Sequence, residues 1–397
     1  MTTLLFVLAG ASLLLAIHPY LIFPLSLRWL EWSRAARDVR ARRLGAAAAG
    51  VGTRSSLAAK PASIAILMCA YNEERVIEAK VLNLLAMRDE VPDLQILIYV
   101  DAASDRTAEI LRRYEDRITL HVSPERHGKT YGMNLLVARS DADILVFTDA
   151  TIEILPGSMR ALQAHFADPS VGCVCGWIDC RNPDASVTAA SAGLYARLDA
   201  EIRRLESLDG SVIGAHGGLF AVRRALHRSP PDDIIDDMYV SLNVLADGHR
   251  VIQSNEFVGV EDAATEARDE FNRKVRIACQ SFNVHRLLWP RLRGLRPRIV
   301  YQYLSHKLLR WLTIYFLAVA ALAFEVALVL AGHADVAAVF ALVGLGGLFA
   351  GLRGWSSMLA RVVDLLGALA GTGLGVWQSI RGQRFQTWTP AASVRKH

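Results

Sequence analysis

The stretch Asp143-Ile144-Leu145-Val146-Phe147-Thr148-Asp149-Ala150-Thr151 decides the fold of this chain. It is a short apolar run that ends abruptly in a carboxylate, so it predicts a buried strand with Asp149 at its carboxyl end. The same arrangement occurs earlier, where the apolar run 96–100 ends at Asp101. Open α/β sheets bind ligands outside the carboxyl ends of their strands. Two acidic strand ends flanked by helices therefore indicate a nucleotide and metal site.

Around these two runs the sequence alternates between strand and helix patterns. Helical spacing of apolar residues predicts helices, and short apolar runs between them predict strands. The predicted strands are 64–69, 96–100, 118–122 and 144–147, and the predicted helices are 73–87, 105–114 and 129–138. This alternation predicts an α/β fold with a mostly parallel sheet and helices on both faces. It leaves the order of the strands open.

The composition points to a membrane protein. Of the 397 residues, 52% are hydrophobic, and the mean hydropathy is +0.26. Residues 4–27 are apolar enough to span a bilayer, and without a basic leading region or a small-residue cleavage site they predict a retained transmembrane helix, 1–28. The arginines of the following flank and linker, 29–61, place that side in the cytoplasm. The net charge of +5 then indicates orientation and contact with anionic lipid, and gives little reason to expect nucleic acid.

The C-terminal part of the chain, 307–380, is also predicted to be membrane. Segments 308–330 and 336–352 are candidate spans. Segment 362–380 is a third apolar stretch, but a third span would place the basic tail, 381–397, outside, against the positive-inside rule. Its glycines and Asp364 favour a re-entrant or interfacial helix. The segment between, 266–306, is cationic and contains tryptophan, which predicts amphipathic interfacial helices.

Five cysteines give little support to a metal–thiolate site. Cys173 and Cys175 alternate within 171–177, as residues of a strand do, and no histidine lies at zinc-finger spacing from them. We expect reduced thiols in a cytoplasmic domain.

The usual phosphate-binding loops are missing from the sequence. No G-x-x-x-x-G-K-[ST] is present, and no G-x-G-x-x-G follows the first strand, which removes the main support for an ATPase or a dehydrogenase. The first strand ends instead in Cys-Ala-Tyr-Asn-Glu-Glu. Asn72 and Glu73 there are equally explained as a helix cap and a first-turn acid.

Five short motifs in order nevertheless resemble those of membrane-bound family-2 glycosyltransferases, the relatives of cellulose, hyaluronan and poly-N-acetylglucosamine synthases and of exopolysaccharide glycosyltransferases. The motifs are Ala70-Tyr71-Asn72-Glu73, Asp101-Ala102-Ala103-Ser104-Asp105, Gly128-Lys129-Thr130-Tyr131-Gly132-Met133-Asn134, Thr148-Asp149-Ala150 and Asp236-Asp237. The resemblance covers residues 62 to about 310, and the five motifs together carry it.

The resemblance implies a GT-A fold that binds a sugar nucleotide and transfers the sugar with inversion of configuration. It places Tyr71, Glu73 and Asp101 around the base and ribose, and Lys129 on the nucleotide side. Asp149 matches the first acid of the family's D-x-D motif and would bind Mg²⁺ or Mn²⁺ at the diphosphate, where such ions neutralise developing charge. In the usual motif a second acid follows, but here Thr151 stands in that place.

The resemblance makes Asp237 the base that takes a proton from the acceptor hydroxyl, with Asp236 supporting it or capping the helix. Taken alone, two adjacent acids at a helix start are often surface residues favoured by the helix dipole.

The acceptor side departs further from the family pattern. Processive synthases carry Q-x-x-R-W, and here the matching stretch begins at Arg273, keeps Arg276 and has Ile277 in place of the tryptophan. This favours limited transfer over a long polymer. His216, Gly217 and Gly218 belong to a stretch that resembles the family's glycine loop before a helix. These glycines equally suit a turn with positive φ, and His216 would contact acceptor or phosphate.

The sequence thus predicts a multi-pass protein of a bacterial-type inner membrane with a cytoplasmic GT-A domain at 62–265. The predicted partners are a nucleotide-sugar donor, a lipid-linked or oligosaccharide acceptor, membrane lipids and other polysaccharide-assembly proteins. The predicted process is exopolysaccharide or cell-surface glycan synthesis. A processive synthase, a non-catalytic assembly scaffold and a transporter stay as alternatives. The tail from Phe385 is expected to fold back toward the nucleotide pocket.

Overall fold

The computed structural model describes residues 1–43, 62–181, 187–262 and 267–387. The predicted linker at 46–59 and the end of the basic tail from Trp388 lie outside the described residues. The strands are β1 (Ile64–Ala70), β2 (Gln95–Asp101), β3 (Thr119–Ser123), β4 (Ile144–Asp149), β5 (Glu153–Ile154), β6 (Val171–Cys180), β7 (Leu219–Arg223) and β8 (Arg250–Glu261). The helices are α1 (Thr2–Ile17), α2 (Ile22–Arg43), α3 (Ile77–Ala86), α4 (Thr107–Arg112), α5 (Lys129–Arg139), α6 (Ser158–Phe166), α7 (Val187–Asp209), α8 (Asp236–Ala246), α9 (Ala267–Leu292), α10 (Pro297–Tyr303), α11 (Leu309–Leu330), α12 (Ala334–Leu352) and α13 (Ser357–Ile380).

The strands form one eight-stranded sheet in the order β3-β2-β1-β4-β7-β6-β8-β5. The four strands predicted from the sequence are adjacent and parallel. The other half is mixed, because β7 runs antiparallel to both β4 and β6, while β6 and β8 are parallel. The α/β fold is confirmed, and the sheet is more mixed than the alternation alone predicted.

Helices cover both faces of the sheet, as predicted. On one face α3, α4 and α6 pack on residues such as Ile66, Ile98 and Val146. On the other face α5, α8 and α9 pack on Leu67 and Phe147, and α11 and α13 reach this same core. Burying both faces explains why these strands are nearly continuous apolar runs. Cys173 and Cys175 point to the second face and are fully buried, as their alternation predicted.

Two elements of the sheet domain differ from the prediction. The helix predicted from 73 begins only at Ile77, because residues 73–76 form a turn that Thr107 and Asp105 hold in place. The glycine stretch 214–218 was expected to precede a helix, but Leu219–Arg223 is strand β7. Its short apolar sequence fits between β4 and β6, and that central position overrides any local helical preference.

The N-terminal membrane segment was predicted as one helix and is instead broken. α1 and α2 are bent by 57° at residues 18–21, and the two together are long and apolar enough to cross a membrane as a bent span. Pro19 lies at the break, where proline removes a helix hydrogen bond and its ring clashes with the preceding turn. α1 packs along α11.

Three C-terminal helices are long and apolar enough to cross a membrane: Pro297–Leu330, Ala334–Leu352 and Ser357–Ile380. The last contains the segment expected to be re-entrant or interfacial. It is an unbroken helix of 24 residues, so the structure contains no re-entrant turn there. α9, predicted to be interfacial, packs against α13 and α8.

Candidate functional site

The predicted site residues meet at one edge of the sheet. β1, β2 and β4 are parallel neighbours, so their carboxyl ends lie side by side, with Cys69 opposite Asp149 in the register. The antiparallel β7 brings the preceding loop to the same edge, where the Asp149 N–H donates to the Gly218 carbonyl at 3.2 Å. The ends of β1, β2 and β4 and the loop before β7 therefore border one site, which is called the cleft below.

At the β2 end of the cleft, Asp101 organises the loop before α5. Its carboxylate is buried and accepts the backbone N–H of His127 at 2.7 Å and of Gly128 at 3.0 Å. The guanidinium of Arg126 lies 3.5 Å from the ring centroid of Tyr71 and 3.5 Å from an Asp101 oxygen. Arg126 and His127 are thus site residues that sequence reasoning missed. The strand end predicted Asp101, but nothing local predicted that Arg126 folds onto Tyr71.

Glu73 lies just below this end and is buried. Its backbone N–H donates to the Thr107 hydroxyl at 2.8 Å. Asn72 adopts a φ of 54° and binds Ser104, with its side-chain oxygen accepting the Ser104 N–H at 2.8 Å. The first two motifs are therefore joined to each other, and neither Asn72 nor Glu73 acts as a simple helix cap, since α3 begins four residues later.

At the β4 end, Lys129 and Asp149 form an ion pair. The Lys129 ammonium lies 2.7 Å from Asp149 Oδ1 and 3.3 Å from the Gly217 carbonyl. Burial opposes the charge of Lys129, but Asp149 and the acids of α8 outweigh it and raise the pKa of the ammonium. The Asp149 side chain is 42% exposed, so it faces the open cleft and is accessible to a ligand.

Asp236 and Asp237 begin α8 on the opposite side of Lys129. Both carboxylates are buried, and Asp237 Oδ1 accepts the Met238 N–H at 2.6 Å. Asp237 lies directly over Gly217, since a Cβ there would be 2.7 Å from Asp237 Oδ2. Desolvation and then the charge of Asp236 raise the pKa of Asp237 to about 7. A buried carboxylate with a raised pKa, facing a cleft, is suited to take a proton near neutral pH.

The predicted acceptor residues border the same cleft. His216 is exposed at the surface, and its Nδ1 accepts the Gly218 N–H at 3.3 Å. Desolvation of the ring by the surrounding protein, followed by the charges of Arg203 and Arg273, lowers its pKa to about 4. Arg276 is half-buried and bonds Gln280 at 3.3 Å. Desolvation and Arg273 lower the pKa of Arg276 to about 10, opposed by Asp149 and Asp237. Arg276 is therefore close to both acids, while Arg273 is exposed at the rim.

A second missed feature lies beneath Asp149. The Lys80 side chain is buried in the core, where its ammonium donates to the Thr148 hydroxyl at 3.1 Å and to the Ile152 carbonyl. Asn83, one turn further along α3, makes two hydrogen bonds with the backbone of Ile154, at 2.8 and 2.9 Å. Desolvation lowers the pKa of Lys80 to about 7. α3 thus holds the turn that carries Asp149 from both ends.

The described part of the tail lies over the β2 end of the cleft, beside His127 and Gly128, where the sequence predicts that a nucleotide binds. Gln386 donates from its amide to the His127 carbonyl at 3.0 Å, and the Phe385 carbonyl accepts from Gln280 at 2.8 Å. Gly128 has a φ of 92°, and a Cβ there would be 2.1 Å from the Gln386 carbonyl oxygen. The backbones therefore approach more closely than any side chain at Gly128 would allow.

The oxygen ligands at the cleft suit a divalent metal ion that binds together with a phosphate group. The described residues contain no group of three or more His, Cys, Asp or Glu side chains placed to hold a metal. Among the described acids of the cleft named above, Asp149 has the exposed carboxylate, and Mg²⁺ is commonly bound by one or two carboxylates plus substrate phosphates and water. The residues therefore fit an ion that completes its shell from a diphosphate.

Parts of this chain resemble known proteins. Residues 65–229 match the family model of glycosyl transferase family 2. Poly-β-1,6-N-acetyl-D-glucosamine synthase of Staphylococcus aureus is 27% identical over 196 residues, which are 47% of this chain and 47% of that protein. The Staphylococcus epidermidis synthase is 25% identical over 155 residues, 38% of this chain and 36% of that protein. The match thus spans about half the length of these relatives or less.

A solved structure resembles nearly the whole chain. It is a mannosyltransferase from Pyrobaculum calidifontis in complex with GDP-Man and Mn²⁺, with a TM-score of 0.64 and 23% identity, covering 93% of this chain and 99% of that one. At this identity the likeness establishes the fold, including the C-terminal helices. The comparisons therefore show a GT-A-like α/β fold in which residues 65–229 match the model of glycosyl transferase family 2 and three apolar helices follow.

Proposed function

We propose that this protein is an inverting glycosyltransferase that moves a sugar from a nucleotide-diphosphate donor to a lipid-linked or oligosaccharide acceptor at a membrane. One observation carries the proposal. Asp149 with its bound Lys129, and Asp237 with its raised pKa, face each other across Gly217 in a single cleft. The first pair suits a departing diphosphate, and the second group suits deprotonation of an acceptor hydroxyl.

The donor would bind along the sheet edge from β2 to β4. Tyr71, Arg126 and the loop held by Asp101 would contact the base and ribose. Lys129, whose ammonium already faces the Asp149 carboxylate, would turn to the phosphate oxygens as the diphosphate enters. A Mg²⁺ or Mn²⁺ ion bound with the diphosphate at Asp149 would neutralise charge on the leaving group.

Asp237 would act as the general base. It lies at the N-terminus of α8 beside Asp236, in a buried environment that keeps its pKa well above that of a free carboxyl. Its Oδ2 faces Gly217, where the absence of a side chain leaves room for the acceptor hydroxyl. Attack from the side opposite the diphosphate would invert the anomeric carbon.

The residues predicted to bind the acceptor favour transfer of one or a few sugars over synthesis of a long polymer. Ile277 occupies the place where processive relatives have a tryptophan, so α9 offers no aromatic floor at that position. Arg273 and Arg276 of the same helix would contact the acceptor or the diphosphate instead. The setting would be a bacterial-type inner membrane, with the catalytic domain in the cytoplasm beside the arginines of α2. The product would be part of a cell-surface glycan.

Diphosphate release tests the proposal. The full chain in lipid would be incubated with a panel of uridine and guanosine diphosphate sugars, with Mg²⁺ or Mn²⁺ and a membrane extract as the source of acceptor. We expect one donor class to turn over. If no donor is bound or turned over, the chain is a non-catalytic scaffold and the proposal is wrong.

A further inference from the structure

Lys307 lies in an unusual turn at the junction of the catalytic domain and the membrane helices. Residues Leu304–Leu308 form a π-helical turn between α10 and α11, inside the continuous helix Pro297–Leu330. A π turn holds an extra residue and changes the direction of the side chains that follow it. Such turns are rare and occur frequently at functional sites.

The turn lets two neighbouring side chains face the domain. His306 is fully buried, with its ring nitrogens 2.8 Å from Glu206 Oε1 and 3.1 Å from Asp199 Oδ1. Arg310 bonds the same oxygen of Asp199 at 2.5 Å. This network fixes the backbone at His306, and hence the direction of the next side chain, Lys307.

The network also fixes the loop that Lys307 faces. Glu206 accepts the Ile213 N–H at 3.1 Å, and Arg203 donates to the Gly214 carbonyl at 2.8 Å. A Cβ on Gly214 would lie 3.4 Å from Cε of Lys307 and 3.8 Å from its Nζ. The same loop continues to Gly217, which lies against Asp237, and Lys307 is therefore placed where this loop meets the start of the apolar helix α11.

The ammonium of Lys307 has no hydrogen bond or ion pair with any residue that the structure describes, whereas the neighbouring His306 and Arg310 are both paired. The side chain is half-buried. The carboxylates that act on Lys307 from nearby, Asp199 and Glu206, are already bound to Arg203, Arg310 and His306. Holding an ammonium in such a place without a direct partner costs free energy, and charged groups in protein interiors are ordinarily paired. An anionic ligand would satisfy it.

We propose that Lys307 binds the phosphate group of a membrane-anchored acceptor. This deepens the proposed function and rests on it, because it names the chemical class of the acceptor. Phosphate is the anion that a compact ammonium binds well. The position, two residues before the apolar helix α11, suits a ligand whose chain lies in the bilayer while its head group reaches Asp237. An uncharged glycan would leave the ammonium unpaired.

Binding of simple probes tests the proposal. The full chain in phosphatidylcholine nanodiscs would be titrated with farnesyl phosphate, farnesol and inorganic phosphate. We expect farnesyl phosphate to bind at least about tenfold more tightly than farnesol, and Lys307→Met to remove that difference. Equal binding of farnesyl phosphate and farnesol by the wild type would overturn the proposal. Inorganic phosphate that competes as well as the lipid would mean that the anion is free phosphate and not an acceptor head group.

Matched variants separate this site from general charge effects. Arg293→Met removes one exposed charge at the end of α9 and should leave the preference for farnesyl phosphate intact, while Lys307→Arg should retain most of it. If Lys307→Met does not fold, Lys307→Gln carries the same expectation. A loss with Arg293→Met equal to that with Lys307→Met would reduce the effect to surface electrostatics and contradict the proposal.

Measurement of donor binding shows whether a negative result contradicts the role of Lys307 or the proposed glycosyltransferase function. Lys307→Met should bind the nucleotide-sugar donor within about twofold of the wild type and release diphosphate from it at the same slow rate without acceptor. If the variant loses donor affinity instead, Lys307 belongs to the donor site and the proposal is wrong. If the wild type binds no donor at all, the proposed function fails, whatever the phosphate titration shows.

Discussion

Asp237 is a carboxylate whose surroundings determine what it can do. A surface aspartate at a helix N-terminus is ordinarily stabilised in its charged form. Here burial and Asp236 act in the other direction and raise its pKa, while Lys129 opposes them. The family resemblance assigns this residue as the base, and that assignment stays a prediction. Its burial depends on Gly217 and α8, which only the fold brings together.

The raised pKa predicts how activity depends on pH. A base is active when deprotonated, so kcat/KM should fall about tenfold per unit as the pH drops below about 7. A pH–rate profile from about pH 5.5 to 8.5 with saturating metal would check this. Donor affinity measured over the same range serves as the control and should change less. A flat kcat/KM below pH 7 would contradict the assignment of Asp237.

Gly217 provides a second prediction at the residue scale. Gly217→Ala would place a methyl group 2.7 Å from Asp237 Oδ2, so the carboxylate must move out of line with the acceptor. A misplaced catalytic group of this kind costs roughly 100-fold in kcat. Gly294→Ala, where the added carbon would have only an ordinary 3.6 Å contact, is the matched control. Normal kcat in Gly217→Ala would show that the position of Asp237 does not matter for the reaction.

At the scale of elements, the strands were easier to predict than the residues that support them. β4 and β2 are buried on both faces, so their apolar runs and terminal acids stood out. Lys80 was missed because it interrupts the apolar stripe of α3, and a lysine in a helix is ordinarily predicted to be exposed to solvent. The strand β7 was misassigned because its pairing with β4 and β6 is a long-range effect that the local sequence does not encode.

α3 therefore has a predicted role in holding Asp149. Lys80→Met keeps the apolar stem but leaves the Ile152 carbonyl without its donor, which costs about 1–3 kcal/mol. The turn should loosen, and the dissociation constant for nucleotide with Mn²⁺ should rise about tenfold by calorimetry. Asn83→Ala acts further from Asp149 and should have a smaller effect. A lower melting temperature in Lys80→Met with unchanged nucleotide affinity would make its role purely structural.

At the scale of the whole molecule, the chain joins a GT-A domain to helices that are long and apolar enough for a membrane. Composition predicted these helices, and hydropathy located two of them well. It did not predict the bend at Pro19 or the unbroken α13, because hydropathy averages over a window and ignores single prolines and packing. α11 and α13 contact the same core as α5 and α8, so these apolar helices pack directly on the domain that carries the cleft.

The number of sugars added to each acceptor is a property of the whole molecule. With Ile277 in place of the aromatic floor, we expect one or a few sugars to be added to each acceptor. Mass spectrometry of products made from a labelled donor and a membrane acceptor would count them. Ile277→Trp should lengthen the products if the floor is what limits them. A long polymer from the wild type would instead show that this chain resembles its synthase relatives in processivity.

The central claim is that Asp149 binds the donor with its metal ion and that Asp237 acts in transfer. Measuring donor binding and transfer separately tests it most directly. Donor affinity by calorimetry with Mn²⁺ and diphosphate release with acceptor would be measured for the wild type, Asp149→Asn and Asp237→Asn. We predict that Asp149→Asn loses donor binding and its dependence on Mn²⁺. Asp237→Asn should bind donor normally while its transfer rate falls roughly 100- to 10,000-fold. Transfer at the wild-type rate by Asp237→Asn, or metal-dependent donor binding unchanged in Asp149→Asn, would contradict the account.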